Sequence, residues 1–364
     1  MFDAGPKEHG EALAAEGVAV SPPPALPAPD PRAHTTANTP PLSRLRSIGW
    51  RVPLALAATY VFFGSGPAGA KAALASLPPL TLVAVRGLVA GALLLAWALK
   101  SGAQPPTRRQ WLPSIVIGIL ILALGAGSGT VGQRSVSSGI AGVLSALLPL
   151  IAACLGYAMF RESLPRRAVL GLAVGFAGVS LLLRPGSGLD PFGVALIVAG
   201  QVSWAFGAVL APRFNLPDDP RITAGLELLG GGAVLLAAAV LLGDVKGLEL
   251  GAVTLQSWLG LGWLTLSAVV GFTAFGFLAK TVSPSVATTF SYVNPVVAIA
   301  LGSLLFAEPL SARMLLATAV IVVGVCLIVS TRTETPSRVH HPLTSGRGHV
   351  YIVSGSSRRR PERS

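Results

Sequence analysis

From about residue 51 to residue 330 the chain is almost continuously apolar, interrupted at roughly helix-length intervals by short stretches rich in Pro, Gly, Asp or Arg. A helix that crosses the hydrocarbon core of a bilayer needs about 20 such residues. Inside the bilayer each run has to satisfy its own backbone hydrogen bonds, so helix is the state open to it. Ten runs meet the requirement: 53–73, 79–99, 112–131, 138–160, 167–184, 191–211, 221–242, 257–278, 284–306 and 312–330. The breaks read "LPP", "SGAQPPTRR", "RESLPRR", "RPGSGLDP" and "NLPDDPR", the residues that stop helices and start turns. The chain is therefore expected to be all-α, a polytopic membrane protein with ten transmembrane helices.

Charge agrees with that class. Charged residues make up 12% of the chain, about half the share of a soluble domain, too few to coat a water-soluble globule of this length. The net charge of +12 reads as Arg-rich loops on the cytoplasmic side, not as a nucleic-acid surface. With the N-terminus inside, the inner loops and helix edges hold Lys100, Arg108, Arg109, Arg161, Arg166, Arg167, Arg213, Arg221 and Lys280. The outer ones hold Arg134, Arg184, Lys246 and Arg313, with Lys71 at the margin. This imbalance and the even helix count predict both termini in the cytoplasm.

The segments 1–49 and 331–364 are polar. The first is Pro-rich and the second ends in "SGSSRRRPERS", the composition of disordered tails. All five His (His9, His34, His340, His341 and His349) lie in these tails, and Cys154 and Cys326 stand alone inside apolar runs. The sequence therefore predicts no metal, no cofactor and no catalytic residues: the apolar region has no His, no CxxC and no paired intramembrane Asp.

The two halves repeat. Residues 136–183 set against 282–329 without gaps share 18 identities in 48 positions, pairing Pro149 with Pro295, Gly156 with Gly302, Phe160 with Phe306 and Glu162 with Glu308. "VAVRGLVAGALLL" (83–95) matches "AGLELLGGGAVLL" (224–236). The expected units are 51–184 and 191–330, five helices each. Five is odd, so the second unit is inverted relative to the first, the construction of many secondary transporters. The small-residue runs "GLAVGFAG" (171–178) and "GGG" (230–232) predict places where helices approach closely.

On "SWAFGAVLAPRF" (203–214), "VSPSVATTFSYVNPVVAIALGSLLFAEPLS" (282–311) and "PPLTLVAVRGLVAGALLL" (78–95), the chain resembles the EamA-type transporters of the drug/metabolite transporter superfamily. The resemblance covers about 51–330. It implies ten helices in two inverted five-helix repeats and export of a small metabolite across the inner membrane. Two motifs depart from the family pattern. The first helix reads Phe63-Gly64-Ser65-Gly66 in place of a Trp-Gly-Ser-Thr element, and "LGAGSGTVG" (124–132) lacks the usual Asn. Both departures remove polar or aromatic cavity groups.

Ionisable residues inside spans are costly and mark function by default. Lys71 lies near the outer end of span 1. Arg86 and Glu227 lie at equivalent places in spans 2 and 7, each about 10 Å from its helix start at ~1.5 Å per residue. Inversion puts Arg86 toward one face and Glu227 toward the other, so the two are not expected to pair. Each would serve one vestibule for a zwitterionic or charged solute, and Glu227 is the one carboxylate placed to couple transport to protons. Tyr60, Ser65, Gln201, Trp204, Tyr292 and Asn294 complete the expected solute-facing set, and Pro149 and Pro295 are expected to kink spans 4 and 9. Glu162 and Glu308 end spans 4 and 9, where a carboxylate opposes the helix dipole. Each should have a partner such as a neighbouring helix N-terminus, in a structural role.

Taken together, the residues predict a secondary transporter whose partners are a small-molecule solute and the lipid bilayer, with monomer or homodimer left open. The alternative is a non-transporting scaffold or receptor that acts through its tails. An intramembrane enzyme lacks the His, nucleophile pair or metal cluster it would need.

Overall fold

A computed structural model describes residues 50–161, 164–183, 188–282 and 284–331, so both tails and Glu162 lie outside the described residues. Every regular element among the described residues is helical. Eight helices are long and apolar enough to cross a membrane: Arg51–Ala73, Pro79–Lys100, Arg108–Gly132, Ser138–Phe160, Pro191–Arg213, Pro220–Leu241, Leu255–Thr281 and Ala312–Ser330. They match expected spans 1–4, 6–8 and 10. Span 5 is the 17-residue helix Arg166–Leu182. Span 9 divides into Pro284–Ala287 and Phe290–Phe306. Large apolar side chains such as Leu93, Leu170, Leu259, Leu304 and Leu316 are exposed on the outside of the bundle, the surface that a bilayer covers.

Several spans are less regular than an apolar run suggests. Span 1 is interrupted at Ser65, just ahead of Pro67. Span 4 breaks at Ala146 and Leu147, whose N–H groups turn to carbonyls three residues back. Pro149 therefore stands in the first turn of the segment Leu148–Phe160, not in the middle of a helix. Pro295 does lie inside its helix, and Ser291 and Tyr292 likewise bond three residues back. The reason is shared: a proline has no N–H, and its ring crowds the carbonyl four residues earlier, so the preceding turn tightens. Span 3 runs as a π-helix over Ile119–Ala126, while span 8, at the corresponding place in the other half, is one α-helix of 27 residues.

The helices pair in a regular pattern. Spans 2 and 7 pack along their lengths, as do 5 and 10, 4 and 9, 1 and 8, and 3 and 6. Exchanging each helix for the one five places along leaves this set unchanged. Spans 2 and 7 run antiparallel: a Cβ on Gly87 would touch Leu228 and Gly232, and one on Gly91 would meet the backbone of Gly225 and Leu229, both at 2.8 Å. Spans 5 and 10 do the same, Gly171 and Gly175 against Gly324 and Gly178 against Ile321. With no hydrophobic drive between helices in lipid, this close backbone approach through small residues holds the pairs together. Both runs singled out in the sequence, 171–178 and 230–232, lie at these contacts.

Because successive spans reverse direction, the bundle has two ends. The near end carries residue 50 and the connections around 101–107, 214–219 and 282. The far end carries those around 74–78, 133–137, 188–190, 242–254 and 307–311.

Candidate functional site

Spans 2 and 7 cross near residues 89 and 229, midway along the contacts just described. Arg86 lies three residues and Glu227 two residues from that point, on opposite sides. At ~1.5 Å rise per residue they are about 7.5 Å apart along the axis, and no ion pair joins them among the described residues. Arg86 is half-buried, and its Nε is fully buried with no hydrogen-bond partner. Leu82, one turn before it, packs with Leu264 of span 8 and Ala70 of span 1. Glu227 is half-buried, and span 3 presses on its backbone: a Cβ on Gly118 would collide with the Glu227 carbonyl group.

The remaining nominated residues divide by whether their polar groups are already used. Tyr60 OH and Thr289 Oγ1 share a hydrogen bond of 2.7 Å between spans 1 and 9. Ser65, 4% exposed, donates to the Val61 carbonyl at 2.6 Å and accepts from Trp263 Nε1 at 2.8 Å. These two stitch span 1 to its neighbours, and Trp263 also stacks on Phe62 at 5.1 Å between ring centroids. Lys71 is half-buried in the last turn of Gly66–Ala73. Gln201 and Trp204 are half-buried in span 6, with a Cβ on Gly125 of the π-helical stretch only 3.4 Å from Trp204 Cβ. Tyr292 packs against the apolar core formed by spans 4, 5, 6, 9 and 10. Asn294 is half-buried, and its Oδ1 is fully buried without a partner.

Two further orphans were missed by the sequence reading: Ser267 Oγ and Gln133 Oε1, both buried without a hydrogen-bond partner. A buried polar atom left unpaired costs about 1–3 kcal/mol, and lipid supplies no water to relieve it. Ser267 neighbours Ala268, which packs with Val83 and Ala84 of span 2, at the level of Arg86. A search of every span for hydroxyls and amides, span 8 included, would have found it. Ser203 was also passed over. Its Oγ donates at 2.8 Å to the Leu120 carbonyl in the π-helix, where the altered hydrogen-bond ladder leaves a backbone acceptor for a side chain.

At the far end an open depression of about 360 Å³ is lined by Leu74, Ser76, Pro78, Arg134, Gly243 and Asp244 among others. None of the nominated residues lines it. Among the described residues no three His, Cys, Asp or Glu side chains come together as metal ligands.

Comparison with known proteins identifies the arrangement. The EamA-like transporter family matches twice, at residues 50–184 and 191–330. The chain is 37% identical over 289 residues to the uncharacterized inner membrane transporter YedA of Escherichia coli K12, covering 78% of this chain and 92% of that protein. It is 28% identical over 287 residues to the uncharacterized transporter YvbV of Bacillus subtilis 168, covering 76% and 91%. It is 26% identical over 261 residues to Protein PecM of Dickeya dadantii, covering 69% and 81%. A solved crystal structure superposes with a TM-score of 0.55 at 22% identity, over 78% of this chain and 99% of that one, and shares the fold. A multi-pass helical bundle, a doubled family match and relatives named as transporters converge: the chain is a membrane transporter and belongs to the EamA-like transporter family.

Proposed function

We propose that the chain exports small amino-acid-like or drug-like metabolites across the inner membrane by alternating access, with both termini cytoplasmic. The observation that carries the reading is the crossing of spans 2 and 7. It sets a guanidinium with an unsatisfied Nε on one side of the bundle's middle and a carboxylate on the other, about 7.5 Å apart along the axis at ~1.5 Å per residue. Groups so placed can hold the two ends of a zwitterion without neutralising each other. The antiparallel pairing of equivalent helices supports rocking of one five-helix half, 51–184, against the other, 191–330, about that crossing.

The test is efflux. Cells with and without the protein are preloaded with a panel of radiolabelled amino acids and drugs. Faster loss of at least one class from the expressing cells is expected. Equal loss of every compound, with the protein present in the membrane, removes the export reading. A variant lacking residues 1–45 and 335–364 should retain the efflux. Loss of efflux in a well-inserted truncation favours the tail-driven alternative.

A further inference from the structure

Glu308 joins two helices from opposite halves of the chain. Span 9 ends at Phe306, and Ala307 follows in the left-handed region at φ 50°. That turn brings the Glu308 N–H back to the Gly302 carbonyl at 3.2 Å and sends the side chain across to the start of span 4. There Oε1 accepts from the Ser138 N–H at 2.8 Å, and Oε2 accepts from Ser138 Oγ at 3.0 Å and the Gly139 N–H at 2.9 Å. Gly302 makes the approach possible, because a Cβ there would run into the Glu308 carboxylate and lie 2.8 Å from Ser138 Oγ. Ser138 is fully buried under this contact.

The contact answers two needs at once. The first N–H groups of a helix have no intrahelical partner, and a carboxylate that ends its own helix faces an unfavourable dipole unless the positive end of another helix meets it. Parting spans 4 and 9 at this end would strand both. The same end holds further contacts between halves. Asp244, beyond span 7, accepts from the N–H and Oγ1 of Thr81 at the start of span 2, each at 2.8 Å. Ser76, after span 1, donates to Ser257 in span 8 through its N–H at 3.1 Å and its hydroxyl at 2.8 Å.

We infer that Glu308 is the latch of the far end: its grip on the first turn of span 4 is made in the conformer seen here and has to release before that end opens. The inference rests on the transporter reading above.

The test uses the full chain with Cys154 and Cys326 changed to Ser, reconstituted in liposomes. In a Ser138→Cys background the buried new thiol should react slowly with a water-soluble maleimide. Adding Glu308→Gln should speed labelling about tenfold, the size of a lost charge-assisted hydrogen bond. Equal rates overturn the latch. As a second arm, Ser138→Cys/Glu308→Cys is joined with a short bifunctional methanethiosulfonate, and flux of a radiolabelled amino-acid mixture is measured. Arrest on joining, reversed by reductant, is expected. Flux at the unjoined rate also overturns the latch. If the unjoined protein carries none of the mixture, the amino-acid reading fails and the labelling ratio alone decides the latch.

Discussion

Among the described residues, the two ends of the bundle are capped in different ways. At the far end, side chains of the second half cap helices of the first: Glu308 holds span 4 and Asp244 holds span 2. Asp190 caps its own span 6 through Gly193 N–H at 2.9 Å and also accepts from Ser135 Oγ of the first half at 2.5 Å. At the near end, the described caps are local. Thr107 and Gln110 form a capping box on span 3, and Asp219 caps span 7 while paired with Arg221 at 2.7 Å. Among the described residues, Gln110 Nε2 reaches the Leu216 carbonyl across the halves at the near surface at 3.4 Å, and Arg213 and Arg221 lie over the rings of Phe160 and Trp97. Separating the far end breaks charge-assisted hydrogen bonds, about 1.5–3 kcal/mol each. These bonds secure the far end in this conformer.

The strongest lever on that comparison lies between the ends. Arg86→Ala should cut transport about 100-fold, the scale of losing a buried charged hydrogen-bonding group, with Arg86→Lys intermediate. Unchanged flux in a well-folded Arg86→Ala protein would detach the crossing from the solute. Next is the packing that both ends share. Gly91→Leu forces a side chain into the backbone of Gly225 and Leu229 and should cost about 1–3 kcal/mol or more. Gly66→Ala, whose Cβ meets nothing within 4 Å, should leave thermal unfolding in detergent unchanged. A smaller effect separates the ends directly. Thr81→Val removes one donor to Asp244 and should expose the far end to maleimide several-fold more, by about 1 kcal/mol, while Gln110→Ala at the near end should leave far-end labelling alone.

Acid should have the smallest effect and touch both ends alike. Asp190 is held below the usual carboxylate range first by the Ser135 hydroxyl and then by the Gly193 N–H, and Asp219 is held down first by its hydrogen bond from Arg221. A carboxyl whose folded value is depressed stabilises fully above its unfolded value, about 3.9, and loses that contribution as pH falls through the folded value. Between pH 8 and 5 these two groups should therefore leave the melting temperature flat, and their contribution should fade only below about pH 4. An Asp190→Asn protein should lack the far-end share of that fall.

Much of this arrangement was legible in the residues. The apolar runs mark the spans because a bilayer accepts little else. The Gly-rich stretches 171–178 and 230–232 mark close crossings because only a missing Cβ lets backbones meet. Glu308 at a helix end called for a partner because the dipole there is wrong for it, and the partner is a helix N-terminus. Other features left no trace in a linear reading. The π-helix at Ile119–Ala126 depends on how span 3 seats against Gly200 and Gly207, and its apolar residues would suit an α-helix equally well. Ser65 and Tyr60 read as solute-facing groups, yet Trp263 and Thr289, about 200 residues away in sequence, already use their hydroxyls.

The sequence by itself determined which segments enter the membrane, that they form two similar sets, and where backbones come close, since those properties follow from side-chain polarity and size along one chain. Only the tertiary structure decided which buried polar groups are satisfied and what secures the far end. A hydrogen bond between spans depends on the distance between two atoms on different helices, and that distance is fixed only when the helices are packed.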